Sequence, residues 1–182
     1  MRHYLTYCDR NYLAQAITLA RSLAQHERRS YVCHVVCLDE LTRLMLEKLQ
    51  LPAVQLHALH GIEARTPRLA SLRAWRSTAE YCYTLTASIL YDFLHQHPHI
   101  EGVTYSDADT CFFASPDEYF AEVADHSVVI HEHRYSDALG DVSHLYGRFN
   151  VGLMHFRNDS VGRQALLDWR EACLDWCYAT CD

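Results

Sequence analysis

Lysine is almost absent from this 182-residue chain, where Lys48 stands alone against 15 arginines. With 23 acidic residues the formal net charge is −7, and no dense basic run occurs. That balance argues against a general nucleic-acid binder, which needs a concentrated cationic face. The nearest approach is Arg65, Arg68, Arg73 and Arg76, four cations within twelve residues. No apolar run of about 18 residues exists, so nothing reads as a transmembrane segment. The opening MRHYLTYCDRNYL has no apolar stretch of signal-peptide length, so the expected location is the cytoplasm. No C-x-x-C pair occurs among the eight cysteines, which disfavours a zinc ribbon or a thioredoxin-like site. In a reducing compartment few or no disulfides are expected. Cys33 and Cys37 lie in the apolar run YVCHVVCL and read as small hydrophobes. Cys173, Cys177 and Cys181, spaced i, i+4, i+8, read as the packed stripe of a helix. No internal repeat and no linker breaks the chain. Residues 1–182 read as a single domain, and 49% apolar content is enough to bury a core.

What is present alternates between two periodicities. HYLTYC (3–8) reads as a short strand. The helical pattern that follows puts Tyr12, Leu13, Ala16, Ile17, Ala20, Leu23 and Ala24 on one face, with Leu19 off it and Asp9 or Asn11 as cap. Residues 31–38 lack polar alternation, as expected of a strand covered on both faces. Asp39 opens a helix, and 53–57 form a third strand. This β-α-β-α-β order predicts an α/β fold with a mostly parallel, Rossmann-type sheet flanked by helices. Further on, 79–95 read as a helix ended by Pro98, 101–106 as a strand, and 117 onward as a short helix opened by Pro116. Residues 127–131 and 149–156 read as strands around a 134–147 loop. A long amphipathic helix runs from Ser160.

The chemistry concentrates in VTYSDADTCFF (103–113). In open α/β sheets ligands bind beyond the carboxyl ends of strands, and Asp107 and Asp109 stand at such an end. Residues i and i+2 of an extended segment point the same way. Two adjacent carboxylates repel unless a cation or proton lies between them. Hard oxygen ligands suit Mg²⁺ or Mn²⁺, which retain water and take up phosphate oxygens. The pair therefore points to a metal-bound diphosphate, against the plainer reading of a solvated acidic turn.

Two families share such a pattern. D-x-D-T after a strand is similar to the haloacid-dehalogenase-like phosphatases, with Asp107 as nucleophile and Asp109 as acid/base. That reading ranks second, because a hundred residues precede the motif and no lysine follows residue 48. The whole chain more closely resembles the GT-A glycosyltransferases, in particular a glycogenin-like and lipopolysaccharide-transferase-like bacterial group. LTYCDRNYLAQAITLARSL resembles their first strand and helix, and YVCHVVCLDE their second strand. EYCYTLT resembles E-[YF]-x-[WY]-T-x-T-P, with Ala87 in place of the proline. TYSDADTCFFASPDEYF resembles Y-x-D-A-D-x-x-F-F-x-x-P-x-x-[IL]-F, and FNVG (149–152) their F-N-x-G strand. Such relatives continue with a G-D-Q-x-Y-L-D segment, and many supply a late histidine as third metal ligand. This chain ends at CYATCD, so the expectation is a C-terminally truncated member.

The resemblance implies a metal-dependent transfer of sugar from a nucleotide-diphosphate sugar, with UDP the default nucleotide. The acceptor is undetermined (glycan, lipid-linked or protein), and the resemblance leans toward retention at the anomeric carbon. It implies Asp109 as direct ligand of Mn²⁺ or Mg²⁺, and Asp107 as a contact to the ribose or, through water, the metal. Thr6, Asp9 and Tyr12 would hold base and ribose, or else form a plain helix entry. Arg76 would reach the diphosphate, or lie on a solvated helix face. Thr84 and Thr86, two apart, would reach the site together only across a helix break. Asn150 and Gly152 would line the sugar pocket, or else begin a strand at a bulge. His131, Glu132 and His133 read as a surface cluster rather than a second metal site. A sugar-nucleotide-binding module without turnover is the third alternative.

Overall fold

A computed structural model describes residues 1–179. Six strands and eight helices alternate: β1 (Arg2–Cys8), α1 (Leu13–His26), β2 (Tyr31–Cys37), α2 (Glu40–Leu49), β3 (Val54–Ala58), α3 (Leu59–Arg65), α4 (Pro67–Leu72), α5 (Thr78–Gln96), β4 (Gly102–Ser106), α6 (Asp117–Val123), β5 (Val128–Glu132), α7 (Ser143–Tyr146), β6 (Phe149–Arg157) and α8 (Ser160–Asp175). They form one sheet in the order β3-β2-β1-β4-β6-β5. The first four strands of that order are mutually parallel, and β6 runs antiparallel between β4 and β5. The mostly parallel α/β sheet expected from the alternation is therefore present.

Each face of the sheet carries a core. On one face Leu5, Val36, Val103, Tyr105, Met154 and Phe156 pack with α5 and α8. On the other, Tyr4, Cys8, Cys33 and Val35 pack with α1 and α2. The unalternating β2 is buried on both faces, as its sequence requires. Asp39 caps α2, its carboxylate accepting from the Thr42 amide at 2.8 Å. Helix α5 starts from a capping box in which Ser77 and Glu80 satisfy each other's backbone N–H groups. It runs unbroken through Ala87, which is fully buried. A proline there would remove a helical bond and clash with the preceding turn, so alanine suits this straight helix. Without a break, Thr84 and Thr86 face different neighbours.

Helix α1 corrects one expectation. Asp9 folds residues 9–12 into a turn, its carboxylate accepting from the Asn11 and Tyr12 amides. The helix therefore begins only at Leu13, and Tyr12 is 50% exposed. The buried stripe is Ala16, Leu19, Ala20 and Leu23, so Leu19 belongs to the core. The cysteine stripe is also shortened. Helix α8 ends at Asp175, which leaves Cys177 beyond it, and Cys181 lies outside the described residues.

The clustered arginines form no basic patch. Arg65 makes a two-pronged pair with Asp92, both bonds 2.7 Å. Arg68 pairs with Glu171 and Asp175, and Arg73 with Glu63. Arg76, 6% exposed, donates to the Thr84 hydroxyl and to the Cys173 and Leu174 carbonyls. Those carbonyls belong to the last turn of α8, where a cation opposes the helix dipole favourably. Among the described residues no helix is long and apolar enough to cross a membrane.

Two features carry testable consequences. At the start of α8, a Cβ on Gly162 would lie 2.1 Å from the Arg157 carbonyl oxygen. Gly162→Ala is expected to cost on the order of 3 kcal/mol by overpacking, read as a lower urea midpoint. The second is a row of imidazoles across β1, β2 and β3. His34 sits between His3 (3.1 Å) and His57 (3.0 Å), both ring nitrogens engaged. Burial first, then the neighbouring His57, His3 and His97, pushes His34 down to about 3. His3 and His57 are lowered too, chiefly by burial. Below pH 6.5 the unfolded chain takes up protons that the fold refuses, so stability falls as pH drops toward 3. Urea melts between pH 7 and 4 should show that decline. His34→Phe should flatten it by about 1.4 kcal/mol per pH unit for each proton removed from the linkage.

Candidate functional site

The D-x-D turn grows directly out of β4. Asp107 donates its amide to the Gly152 carbonyl at 2.9 Å, continuing the β4–β6 ladder for one residue. Its carbonyl then accepts from the Thr110 amide at 3.0 Å and closes a turn. Ala108 is buried in the core under α1 and pins the turn from beneath. Asp109 is exposed, and Asp107 is half-buried. Past the turn, Ser22 of α1 accepts from the Phe112 amide at 3.0 Å, and Phe112 packs edge-on against Tyr4. Phe113 remains exposed.

Burial raises the Asp107 carboxyl above the usual carboxylate range. The Tyr105 hydroxyl, donating to Oδ1 at 2.7 Å, works against that rise, and the charge of Asp109 adds to it. Among the described residues neither aspartate has a cationic partner closer than a salt-bridge distance. This is a carboxylate pair whose mutual repulsion the protein leaves uncompensated.

The antiparallel β6 brings Asn150 and Gly152 to the same edge. The Asn150 side chain curls back so that Oδ1 accepts from the Gly152 amide at 2.6 Å. Its Nδ2 lies 3.3 Å from His133 Nδ1. A Cβ on Gly152 would stand 2.7 Å from that Oδ1 and 3.5 Å from Asp107 Oδ2. The N-x-G spacing is therefore a packing requirement: asparagine occupies the space that a side chain at 152 would need. His133 also stacks on Tyr135, with ring centroids 4.9 Å apart. The sequence offered His133 only as part of a surface cluster. What identifies it here is the pairing of His131 with Asn150 across β5 and β6.

The remaining expected residues divide. Tyr12 is exposed at the β1–α1 junction. Asp9 spends its oxygens on the turn, including Oδ2 on Asn11 Nδ2 at 2.8 Å, so the structure gives it the helix-entry role. The Arg10 amide donates to Asp39 at 2.9 Å and ties this loop to the β2–α2 loop. Thr6 is 1% exposed and lies within the sheet, its hydroxyl without a partner among the described residues. The structure places it beneath the edge rather than on it. Arg76 is turned toward the end of α8, because its donors are taken by carbonyls there. Sequence reasoning missed Tyr7, Tyr105 and Ser22. All three read as core or helix positions, and only their partners distinguish them. Among the described residues no cluster of three or more His, Cys, Asp or Glu is arranged to hold a metal. An ion at this edge would have two protein carboxylates.

Two surface hollows lie elsewhere. One of about 340 Å³ is bounded by His57, Arg65, Asp92 and His97. Another of about 870 Å³ includes Arg2, Arg29, His155 and Arg157. The cations of the second are already engaged by Glu27, Asp117 and Asp159, and neither hollow gathers carboxylates at strand carboxyl ends.

No known protein-family model matches the chain. The uncharacterized protein YfnF of Bacillus subtilis (strain 168) is 31% identical over 180 residues, covering 96% of this chain and 58% of YfnF. The uncharacterized protein YfnD of the same organism is 27% identical over 180 residues, covering 99% of this chain and 57% of YfnD. The chain thus spans less than two thirds of the length of either relative. Among solved structures, the galactosyltransferase LgtC, determined with donor and acceptor sugar analogues, superposes with a TM-score of 0.59 at 16% identity, over 95% of this chain and 64% of that one. Mouse xyloside xylosyltransferase 1 gives 0.58 at 15% identity, over 97% and 77%. The glycosyltransferase GlyE of Streptococcus pneumoniae TIGR4 gives 0.55 at 20% identity, over 93% and 38%. At such identities the likeness is one of architecture, and the architecture of this chain is the GT-A fold of the glycosyltransferases.

Proposed function

We propose that this chain forms the nucleotide-sugar half of a metal-dependent glycosyltransferase. It moves a sugar from a nucleoside-diphosphate donor, UDP by default, with retention at the anomeric carbon. The observation that carries the reading is the uncompensated pair Asp107 and Asp109 at the carboxyl edge of a GT-A sheet, with Asn150 and Gly152 stitched beside it. The donor set fits Mn²⁺ or Mg²⁺. Both groups are hard oxygens, one half-buried and one exposed, and a divalent ion between them would remove the repulsion. With only two protein carboxylates, diphosphate oxygens and water would complete the shell, as such ions prefer.

When bound, the ion supplies Lewis-acid neutralisation of the departing diphosphate. The chain's own residues do the rest. Asp109 and Asp107 would hold the ion. Asn150 is fixed by Gly152 and His133, and presents its remaining amide valences to the sugar. Gly152 keeps the space above Asp107 clear, and Tyr12 offers an exposed ring for the base. The phosphatase reading needs a cation beside the nucleophile, which neither the lysine-free stretch after residue 48 nor any described arginine provides.

Calorimetric titration of UDP, GDP, dTDP and CMP, with and without Mn²⁺, tests the proposal. One diphosphate should bind in the presence of Mn²⁺ and lose at least tenfold in affinity without it. Asp109→Ala should abolish the metal-dependent part. Silence across the panel, together with hydrolysis of p-nitrophenyl phosphate, would favour the phosphatase instead. Gly152→Val separately should weaken Mn²⁺-dependent binding by at least tenfold, since its side chain displaces Asn150 and crowds Asp107.

A further inference from the structure

Asp107 is held at one oxygen by a buried tyrosine at the end of β4. Tyr105 is 2% exposed and donates to Asp107 Oδ1 at 2.7 Å. An ionised carboxylate can only accept, so the single Tyr105 proton is committed to Oδ1. The Tyr7 ring lies beside that of Tyr105, with centroids 6.1 Å apart. Its hydroxyl donates to the Cys82 carbonyl at 2.9 Å and lies 3.1 Å from Thr86 Oγ1, so it holds α5 and not the anion. The result is a carboxylate with one oxygen occupied. No described residue hydrogen-bonds to Oδ2, which faces the space above Gly152.

We infer that Tyr105 is a positioning residue that restricts Asp107 to one metal-facing oxygen and so selects small octahedral ions over Ca²⁺. This rests on the reading of Asp107 and Asp109 as the metal clamp. The selectivity follows from coordination chemistry. Mg²⁺, and the similar Mn²⁺ site, take single oxygens in near-ideal octahedral geometry, whereas Ca²⁺ accepts six to eight ligands and readily takes a carboxylate through both oxygens. Holding Oδ1 elsewhere denies Ca²⁺ that second oxygen. Removing the Tyr105 proton returns it.

The test is the affinity of the chain for UDP in the presence of Mn²⁺, Mg²⁺ or Ca²⁺, measured calorimetrically for wild type, Tyr105→Phe, Tyr7→Phe and Asp107→Asn, with thermal unfolding of each free protein. Tyr105→Phe should shift the Ca²⁺-to-Mg²⁺ preference toward Ca²⁺ by about tenfold, the worth of one charge-assisted bond. Tyr7→Phe is the control, since its hydroxyl bonds to Cys82 and not to Asp107, and it should keep the wild-type preference. A purely structural contribution of Tyr105 would weaken binding with all three ions alike, and that outcome overturns the inference. So does an unchanged preference in Tyr105→Phe, or a tenfold shift in Tyr7→Phe. If Tyr105→Phe fails to fold, Tyr105→Met, which also lacks the hydroxyl, carries the same test, and no shift there overturns it. Failure of the underlying reading looks different: wild type would then bind UDP without regard to metal, or Asp107→Asn would bind as wild type does.

Discussion

The antiparallel insertion of β6 between β4 and β5 is the constraint on which the site depends. The parallel strands bring their carboxyl ends to one edge, β4 supplies the D-x-D pair there, and β6 supplies what stands beside it. The single bond from the Asp107 amide to the Gly152 carbonyl carries the ladder past the last residue of β4. It fixes the height of the D-x-D turn relative to Asn150, more than forty residues away in sequence. A slip of one residue would turn Asn150 and Gly152 to the opposite face. The Asn150 side chain, folded onto the Gly152 amide, then sets how much room remains over Asp107.

The face of the sheet covered by α5 buries polar groups of two kinds. Tyr105 donates to Asp107 and Tyr7 to the Cys82 carbonyl, while His3, His34 and His57 form a hydrogen-bonded row. Both sets lie against α5, whose Thr86 and Cys82 hold Tyr7 and whose Phe93 packs against the imidazole of His34, with centroids 4.5 Å apart. A buried polar group is costly only while unpaired, so these contacts help fix the position of α5 over the sheet. The Tyr105 bond ends on a carboxylate at the sheet edge, whereas the histidine row lies over the β1–β3 half of the sheet and makes the fold sensitive to acid.

Cations are used mainly as mortar. Arg65, Arg68, Arg73 and Arg76 join the α3–α5 region to itself and to α8, and none is left as a free charge at the carboxyl edge. The consequence for the site is electrostatic. With the clustered arginines spent on packing, Asp107 and Asp109 form no ion pair among the described residues.

The sequence by itself determined the alternation of strands and helices, the buried character of β2, the helix start at Asp39, and the presence of paired aspartates at a strand end. Each is a local property: periodicity reports which side is buried, and a capping residue acts within one turn. Resemblance extended this to the GT-A architecture and to the pairing of D-A-D with F-N-V-G. Only the tertiary structure decided which of the candidates share a place. Arg76 and Thr6 had side chains suited to a nucleotide, but one is spent on the α8 carbonyls and the other is sealed in the sheet. Leu19 entered the core because the packing of α1 on the sheet buries the Ala16–Leu19–Ala20–Leu23 stripe. Tyr105 and Tyr7 looked like ordinary core aromatics, since a ring's burial is written in the local pattern while the partner of its hydroxyl is not. That partner is fixed by how distant strands and helices are brought together, which no single stretch of the chain encodes.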